Sequence, residues 1–270
     1  MLRRIEPTTN KYLAITSVNL QNQLAYVWDA AGRAFFIVII MFIFVQLWSA
    51  VYATKQTAEI AGLTLTATIW YFLLAEMIEL GKSRHDQQIS AEVKDGSIAY
   101  ALVRPYNYLV YHFFNGLGDT LVKMALVLLL GMPVVVWHVG WPGVDVRTVP
   151  AVALVVALAL VLDFVMAGCI GLLAFITEDT FSFRLIYQKL IFILGGLLIP
   201  LDFLPDWLQR IARLLPFAYT TYAPARLFVA YDNALFVQLL TMQVLWIGVI
   251  GGVLALQYRW AVRWLSINGG

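Results

Sequence analysis

Cysteine is nearly absent from this chain. Cys169 stands alone, which excludes an internal disulfide and a cysteine-based metal site. Its place between Gly168 and Gly171 in an apolar run reads as a small packing residue. Charge is scarce as well: Asp, Glu, Lys and Arg make up 13% of residues, against about 25% in a soluble domain. A net charge of +2, with the basic residues dispersed, gives no reason to expect nucleic acid as a partner. His85, His112 and His138 are the three histidines, and none has a carboxylate or cysteine at ligand spacing, so no metal site is expected. Neither G-x-S-x-G nor H-E-x-x-H occurs, so a membrane hydrolase has no visible site. Gly81-Lys82-Ser83 resembles the end of a phosphate-binding loop, but the position that needs the first glycine is Glu76. No other Gly-rich loop is present, so nucleotide binding by this chain is not expected.

What the chain has in excess is apolar sequence. Hydrophobic residues reach 61% and mean hydropathy +0.80, well beyond a soluble domain. The expected class is an all-α integral membrane protein, a single domain over residues 1–270. Crossing the hydrocarbon takes about 20 apolar residues. Runs that meet this need lie at about 34–53, 60–80, 120–139, 149–176, 183–200 and 234–258, which predicts six spans. Residues 10–32 are too polar to span. Leu13, Ser17, Leu20, Leu24, Val27 and Ala31 recur at helical spacing, and Tyr26 and Trp28 are interfacial types. This reads as an amphipathic helix on the membrane surface, with an ordinary polar tail as the alternative. The opening MLRRIEPTTNKYL carries arginines without an apolar core, so no secretory signal is expected.

Six spans put both termini on one side. That side collects 13 of the 18 lysines and arginines, leaving five on the other, so the termini are expected in the cytoplasm. Residues 81–119 and the turn ITEDTFSFR then face the cytoplasm too. Residues 201–233, broken by Pro205, Pro216 and Pro224 after Pro200, read as one or two short helices that dip into the outer leaflet or cap a pathway. The alternative is a plain surface loop. Ala167 and Gly171, Gly248 and Gly252, and Gly251 and Ala255 are spaced for close helix packing.

Glu76, Glu79 and Asp163 are the ionisable groups expected at membrane depth, where charge is costly and points to function. The first two, near a helix end, also fit a wet interfacial position. Within the polar interval, Ile89 and Val93 give a short apolar stripe ringed by Glu92, Lys94 and Asp95, with Gly96 as a helix C-cap. An apolar anchor with a charged rim suits an interface. Residues 97–103 read as a second short helix stopped by Arg104-Pro105.

That order resembles the permease subunits of type-2 ATP-binding-cassette (ABC) exporters. An amphipathic coupling helix after the second span is there followed by a glycine, a short apolar stretch and an ending like Leu102-Val103-Arg104-Pro105. Leu215-Pro216-Phe217-Ala218, with Pro224 and Leu227-Phe228 behind it, is similar to the family's external re-entrant element. The resemblance covers essentially the whole chain. It implies that His85, Gln88, Ile89, Glu92, Val93, Asp95, Gly96, Arg104 and Pro105 form the docking face for an ATPase, with the N-terminal surface helix as a second contact. Pro216, Phe217 and Pro224 belong to the re-entrant element. It also implies two ATP-binding subunits that hold ATP and Mg, none being bound by this chain, and a second permease chain, identical or related. The cargo would be hydrophobic or amphiphilic (lipid, drug or peptide), moved out across a bacterial inner membrane. Two other classes stay open: a lipid-modifying membrane enzyme built on Glu76, Glu79 and residues 81–119, and a proton-coupled carrier using Asp163.

Overall fold

The computed structural model describes residues 8–177 and 180–268, with side chains for 11–177 and 180–263. Arg3 and Arg4 of the charge count, and Glu178 and Asp179 of the turn before the fifth expected span, lie outside the described residues. Helices dominate throughout: α1 Thr8–Ala25, α2 Val27–Ala34, α3 Phe36–Lys55, α4 Leu65–Gly81, α5 His85–Lys94, α6 Ile98–Leu102, α7 Tyr108–Val139, α8 Val149–Leu172, α9 Phe181–Leu194, α10 Asp206–Leu214, α11 Tyr222–Val229 and α12 Asn233–Asn268. Among the described residues, four stretches are long and apolar enough to cross a membrane: Val27–Lys55, Tyr108–Val139, Val146–Phe175 and Asn233–Arg263. The other two expected spans are shorter than their apolar runs.

The expected second span loses its first residues to a hairpin. Glu59–Ile60 pairs antiparallel with Leu63–Thr64, and Ala61 and Gly62 between them take positive φ, 48° and 75°, as a tight two-residue hairpin requires. Thr64 then caps α4, its Oγ1 accepting from the Ala67 amide at 3.2 Å. At 17 residues, α4 is about 25 Å long, and twelve of its residues are buried. It is the helix the others surround: α3, α7 and α11 pack against it. The fifth expected span is likewise cut short. α9 stops at Leu194, before Gly195 and the left-handed Gly196, φ 74°.

The third expected span begins earlier. Residues 108–119 are polar enough to read as cytoplasmic, yet they form the first third of α7, capped by Asn107 Oδ1 on the Val110 amide at 3.1 Å. They are held to α1 and, through Tyr108 and His112, to Glu92 of α5. Thr16 Oγ1 donates to the Phe114 carbonyl at 2.8 Å, Asn107 N donates to Tyr12 Oη at 3.2 Å, and Tyr12 stacks on Phe114 at 5.4 Å. Lys11 Nζ reaches the Pro105 carbonyl at 2.9 Å. The expected surface helix is thus two helices, broken at Tyr26, and the side packed on protein is mixed, with Ile15, Thr16, Asn19, Leu20 and Gln23 half-buried and Ser17, Gln21 and Asn22 exposed. Leu13, Val18, Leu24, Tyr26 and Trp28 are left exposed.

The expected small-residue contacts divide. Gly168, next to Ala167, meets Leu254 of α12, and Gly171 meets Ile89 and the Asp86 carbonyl of α5, whereas Gly248, Gly251 and Gly252 have nothing within 4 Å. The spacing on α12 therefore packs no helix among the described residues. α12 also runs past residue 258, its expected end, to Asn268.

α1 lies so close to α7 that a Cβ on Gly118 would fall 2.8 Å from the Leu20 amide nitrogen and 2.9 Å from the Thr16 carbonyl. Gly118→Val is expected to push α1 off α7 and lower stability by about 1–3 kcal/mol. Thermal melting in detergent, with tryptic release of the N-terminal segment, checks this; an unchanged melt would show that α1 gives way freely.

Candidate functional site

The polar interval folds into α5 and α6 beneath the helix bundle. α5 ends at Lys94, and Gly96 takes φ 77°, the left-handed turn only glycine adopts cheaply. Ser97 N donates to Asp95 Oδ1 at 2.8 Å, and hydrogen bonding from the Ser97 side chain first, then from this backbone N–H, holds the Asp95 carboxyl below the usual carboxylate range.

The apolar stripe points the opposite way from expectation. Ile89 is fully buried, its Cβ in the notch left by Gly171 of α8. His85 is buried too, edge-on to Phe164 at 4.8 Å and against Gly116. Val93 is half-buried against the core. Glu92 accepts a hydrogen bond from Tyr108 Oη at 2.6 Å, and His112 Nε2 lies 3.1 Å from the same carboxylate oxygen. His85, Ile89, Val93 and Glu92 thus seat α5 on its own protein and are not offered as a free face. A helix with one apolar side buries that side on the nearest covering surface, and here α8 supplies it. Gln88, Asp95, Gly96, Arg104 and Pro105 remain exposed, joined by Ala91 and Ala99. Two large residues stand out from α6 and its end: Tyr100 is 79% exposed and Val103 85%.

The three carboxylates expected at membrane depth part company as well. Lys82, just past the end of α4, places Nζ 2.6 Å from Glu79 Oε2 and 3.1 Å from Asp163 Oδ1, with both Lys82 and Asp163 side chains under a tenth exposed. Tyr187 Oη on α9 donates to the same Asp163 oxygen at 2.6 Å. Burial works against the Lys82 ammonium, but Asp163 and Glu79 outweigh it and hold its pKa above the ordinary value. Glu76 is buried on α4 and makes no ion pair among the described residues. Beside this node opens a cavity of about 650 Å³, bounded by α2, α7, α8 and α9. Lys123 and Asp119 of α7 pair across its wall at 2.6 Å, and Arg184 of α9 stands 4.0 Å from Asp86 of α5.

At the other end of the bundle, Asp202 holds the segment after α9 together. It accepts from Arg213 at 3.0 Å, Arg226 at 3.0 Å and Tyr222 Oη at 2.9 Å. Pro216 and Pro224 are buried and Phe217 half-buried. Fully buried Gln243 of α12 donates to the carbonyls of Val155 and Tyr219 at 3.0 and 2.9 Å, tying this segment to α8.

A family model described as ABC-2 family transporter protein matches residues 36–269. The chain belongs to that family. It is a type-2 ABC permease subunit, a multi-pass membrane protein and the membrane component of a transporter, not itself an enzyme. Membership implies an ATP-binding subunit as its partner. Comparison with curated proteins gives no match. Sequence reasoning passed over Lys82, Tyr187, Asp202, Arg226 and Gln243 in this permease. Glu79 and Lys82 sit at the i, i+3 spacing of a helical ion pair, a signal hidden by the false phosphate motif.

Two predictions test this arrangement. Lys82→Met leaves Asp163 and Glu79 buried without their cation and is expected to cost about 3–5 kcal/mol. Adding Asp163→Asn should recover part of the loss in thermal melts; no recovery would separate the two residues. Burial, with His112 and Lys123 nearby, pushes the His85 imidazole down to about 4, below the about 6.5 of an unfolded chain. The unfolded state therefore takes up the proton first, and His85's share of stability is full above pH 6.5 and lost as pH falls toward 4. At pH 5 the loss is about 2 kcal/mol. Asp86, raised by burial, acts in the opposite direction, so the comparison is between wild type and His85→Gln: the variant should melt with a flatter acid limb. Equal acid limbs would remove His85 from the account.

Proposed function

We propose that this chain is the transmembrane half of an ATP-driven exporter that moves a hydrophobic or amphiphilic cargo out of the cytoplasm or the inner leaflet. The observation that carries the reading is the exposed underside of α5 and α6. Tyr100 and Val103, at 79% and 85% exposure, are exposed together with Gln88, Asp95 and Arg104 on a segment whose Ile89, His85 and Ile98 are buried. Large apolar groups left in water amid charge fit a partner surface. ATP and Mg belong to that partner. The docking face of this proposal is the polar side of α5 with α6 and Arg104-Pro105, and the side carrying Ile89 holds the segment to α8. α1 backs it through Lys11 on the Pro105 carbonyl.

Six crossings remain the proposed count. α3, α7, α8 and α12 supply four, α4 another shielded by its neighbours, and α9 with residues 195–200 the remaining one, with residues 201–233 as the external re-entrant element before α12. Both termini then lie in the cytoplasm of a bacterial inner membrane. The exposed Leu13, Leu24 and Trp28 of α1 and α2 would rest in the interface. A second permease chain completes the pore, and two ATP-binding subunits drive it. The carrier reading draws little support, since Asp163 is held by Lys82 and Tyr187. The enzyme reading fares similarly, because Glu79 is engaged by Lys82.

Val103→Asp and Tyr100→Ala should leave membrane insertion and melting unchanged but abolish co-purification with the ATP-binding subunit. Each removes an exposed group whose loss costs about 2 kcal/mol or more at an interface centre. Retention of the ATPase by the double variant would move the docking face elsewhere.

A further inference from the structure

The cavity beside Lys82 is lined by the C-terminal parts of α4 and α8, the middle of α7, and residues of α2, α5 and α9. Its volume of about 650 Å³ is in the range of small-molecule sites. That is many times the roughly 30 Å³ share of one water in liquid, so a bare inorganic anion would leave most of it empty. Ala30, Ala34, Leu80, Val127 and Ala167 give it apolar wall between the charges.

The charges are unequal in how they are presented. Five cations line the cavity (Arg33, Lys82, Arg84, Lys123 and Arg184) against four carboxylates. In two of the pairs the cation is the more accessible member: Lys123 is 32% exposed and Asp119 17%, Arg184 22% and Asp86 13%. Arg84 is exposed and makes no ion pair among the described residues. Lys82 offsets one of the two charges of Glu79 and Asp163, so the floor keeps a single negative charge. A ligand that passes Arg84, Lys123 and Arg184 therefore meets accessible positive charge first, and the residual negative charge behind it holds an anion at the rim.

We propose that this cavity binds the head group of an anionic amphiphile from the cytoplasmic leaflet, with Arg84, Lys123 and Arg184 facing the anion and the apolar wall taking the first part of its chain. Anionic lipid enriches that leaflet and favours clustered Lys and Arg nearby. The binding site stands by itself; that the bound amphiphile is cargo rests on the exporter reading.

The test uses the full chain in phosphatidylcholine nanodiscs with a fluorescent phosphatidic acid as probe. Unlabelled phosphatidic acid should displace it, while added phosphatidylcholine, a cationic alkylammonium amphiphile and inorganic phosphate should not. Arg84→Ala and Lys123→Gln should each weaken probe binding about fivefold, from about 1 kcal/mol per cation at a membrane surface. Both variants leave the Lys82 node intact, and unchanged melting shows that they fold. Displacement by inorganic phosphate at concentrations matching phosphatidic acid would make this a free-anion site and overturn the proposal. So would equal displacement by phosphatidylcholine or the cationic amphiphile, or wild-type binding by both variants. Binding as expected, without ATP-driven movement of the probe once the ATP-binding subunit is added, would uphold the site and overturn the exporter reading.

Discussion

An ammonium ion below the surface of a membrane protein is tolerated only with counter-charge in reach, because the medium around it screens poorly and hydrates it little. Lys82 meets that condition by drawing Glu79 and Asp163 onto one nitrogen. The consequence is architectural. Glu79 ends α4, Lys82 starts the turn into α5, Asp163 belongs to α8, and Tyr187 of α9 completes the cluster. Four elements are placed against each other by one charge, and separating any of them strands a buried ion. The turn that carries Lys82 also fixes where α5 starts. The seating of Ile89 in the Gly171 notch and the opening of the neighbouring cavity both depend on that starting point.

The two ends of the bundle are held by different means. On the Lys82 side, glycines admit close contacts: Gly116 against His85, Gly118 against α1 and Gly171 against Ile89. Such contacts leave no room to slide, so α5 and the end of α8 behave as one body. On the Asp202 side the chain is irregular, and side chains satisfy its backbone. Gln209 donates to the carbonyls of Asp202 and Leu204, Thr221 to Gly195, and Tyr71 to Gly196. Hydrogen bonds of this kind can be exchanged for water one at a time, and irregular backbone at membrane depth needs them. In the proposed exporter, the rigid end receives motion and the hydrogen-bonded end yields to it.

Hydropathy made α3, α7, α8 and α12 legible, since each is apolar over the length of a crossing and leaves much of its apolar surface uncovered by the rest of the chain. It misjudged ends wherever tertiary contacts override composition. Residues 108–119 look aqueous, yet Asn115 is matched by Asn19 of α1, Tyr108 and His112 by Glu92 of α5, and Asp119 by Lys123 one turn along α7. The hairpin at Ala61-Gly62 interrupts an apolar run that has no other break. Gly248 and Gly252 show the reverse limit: spacing states that a helix can be approached closely, not that one of this chain's own helices does so. Lys82 was the largest omission. Its meaning required knowing that α8 brings Asp163 beneath α4, and no local pattern encodes that.

The segment of α5 and α6, proposed above as the docking face, illustrates why amphipathic periodicity identifies an interface but not its owner. Ile89 and Val93 do form an apolar stripe, and a stripe must be covered. Intramolecular cover is available at fixed, high effective concentration, whereas a separate subunit must first overcome the entropy of association. The stripe therefore goes to α8, and what remains for a partner is the opposite side with Tyr100 and Val103. Such a division suits a transmission element: an apolar seat that never leaves the permease, and a polar face with two large anchors that a cycling partner can press and release. A segment docked through Ile89 would have to expose its anchor at every separation. The observed orientation removes that cost.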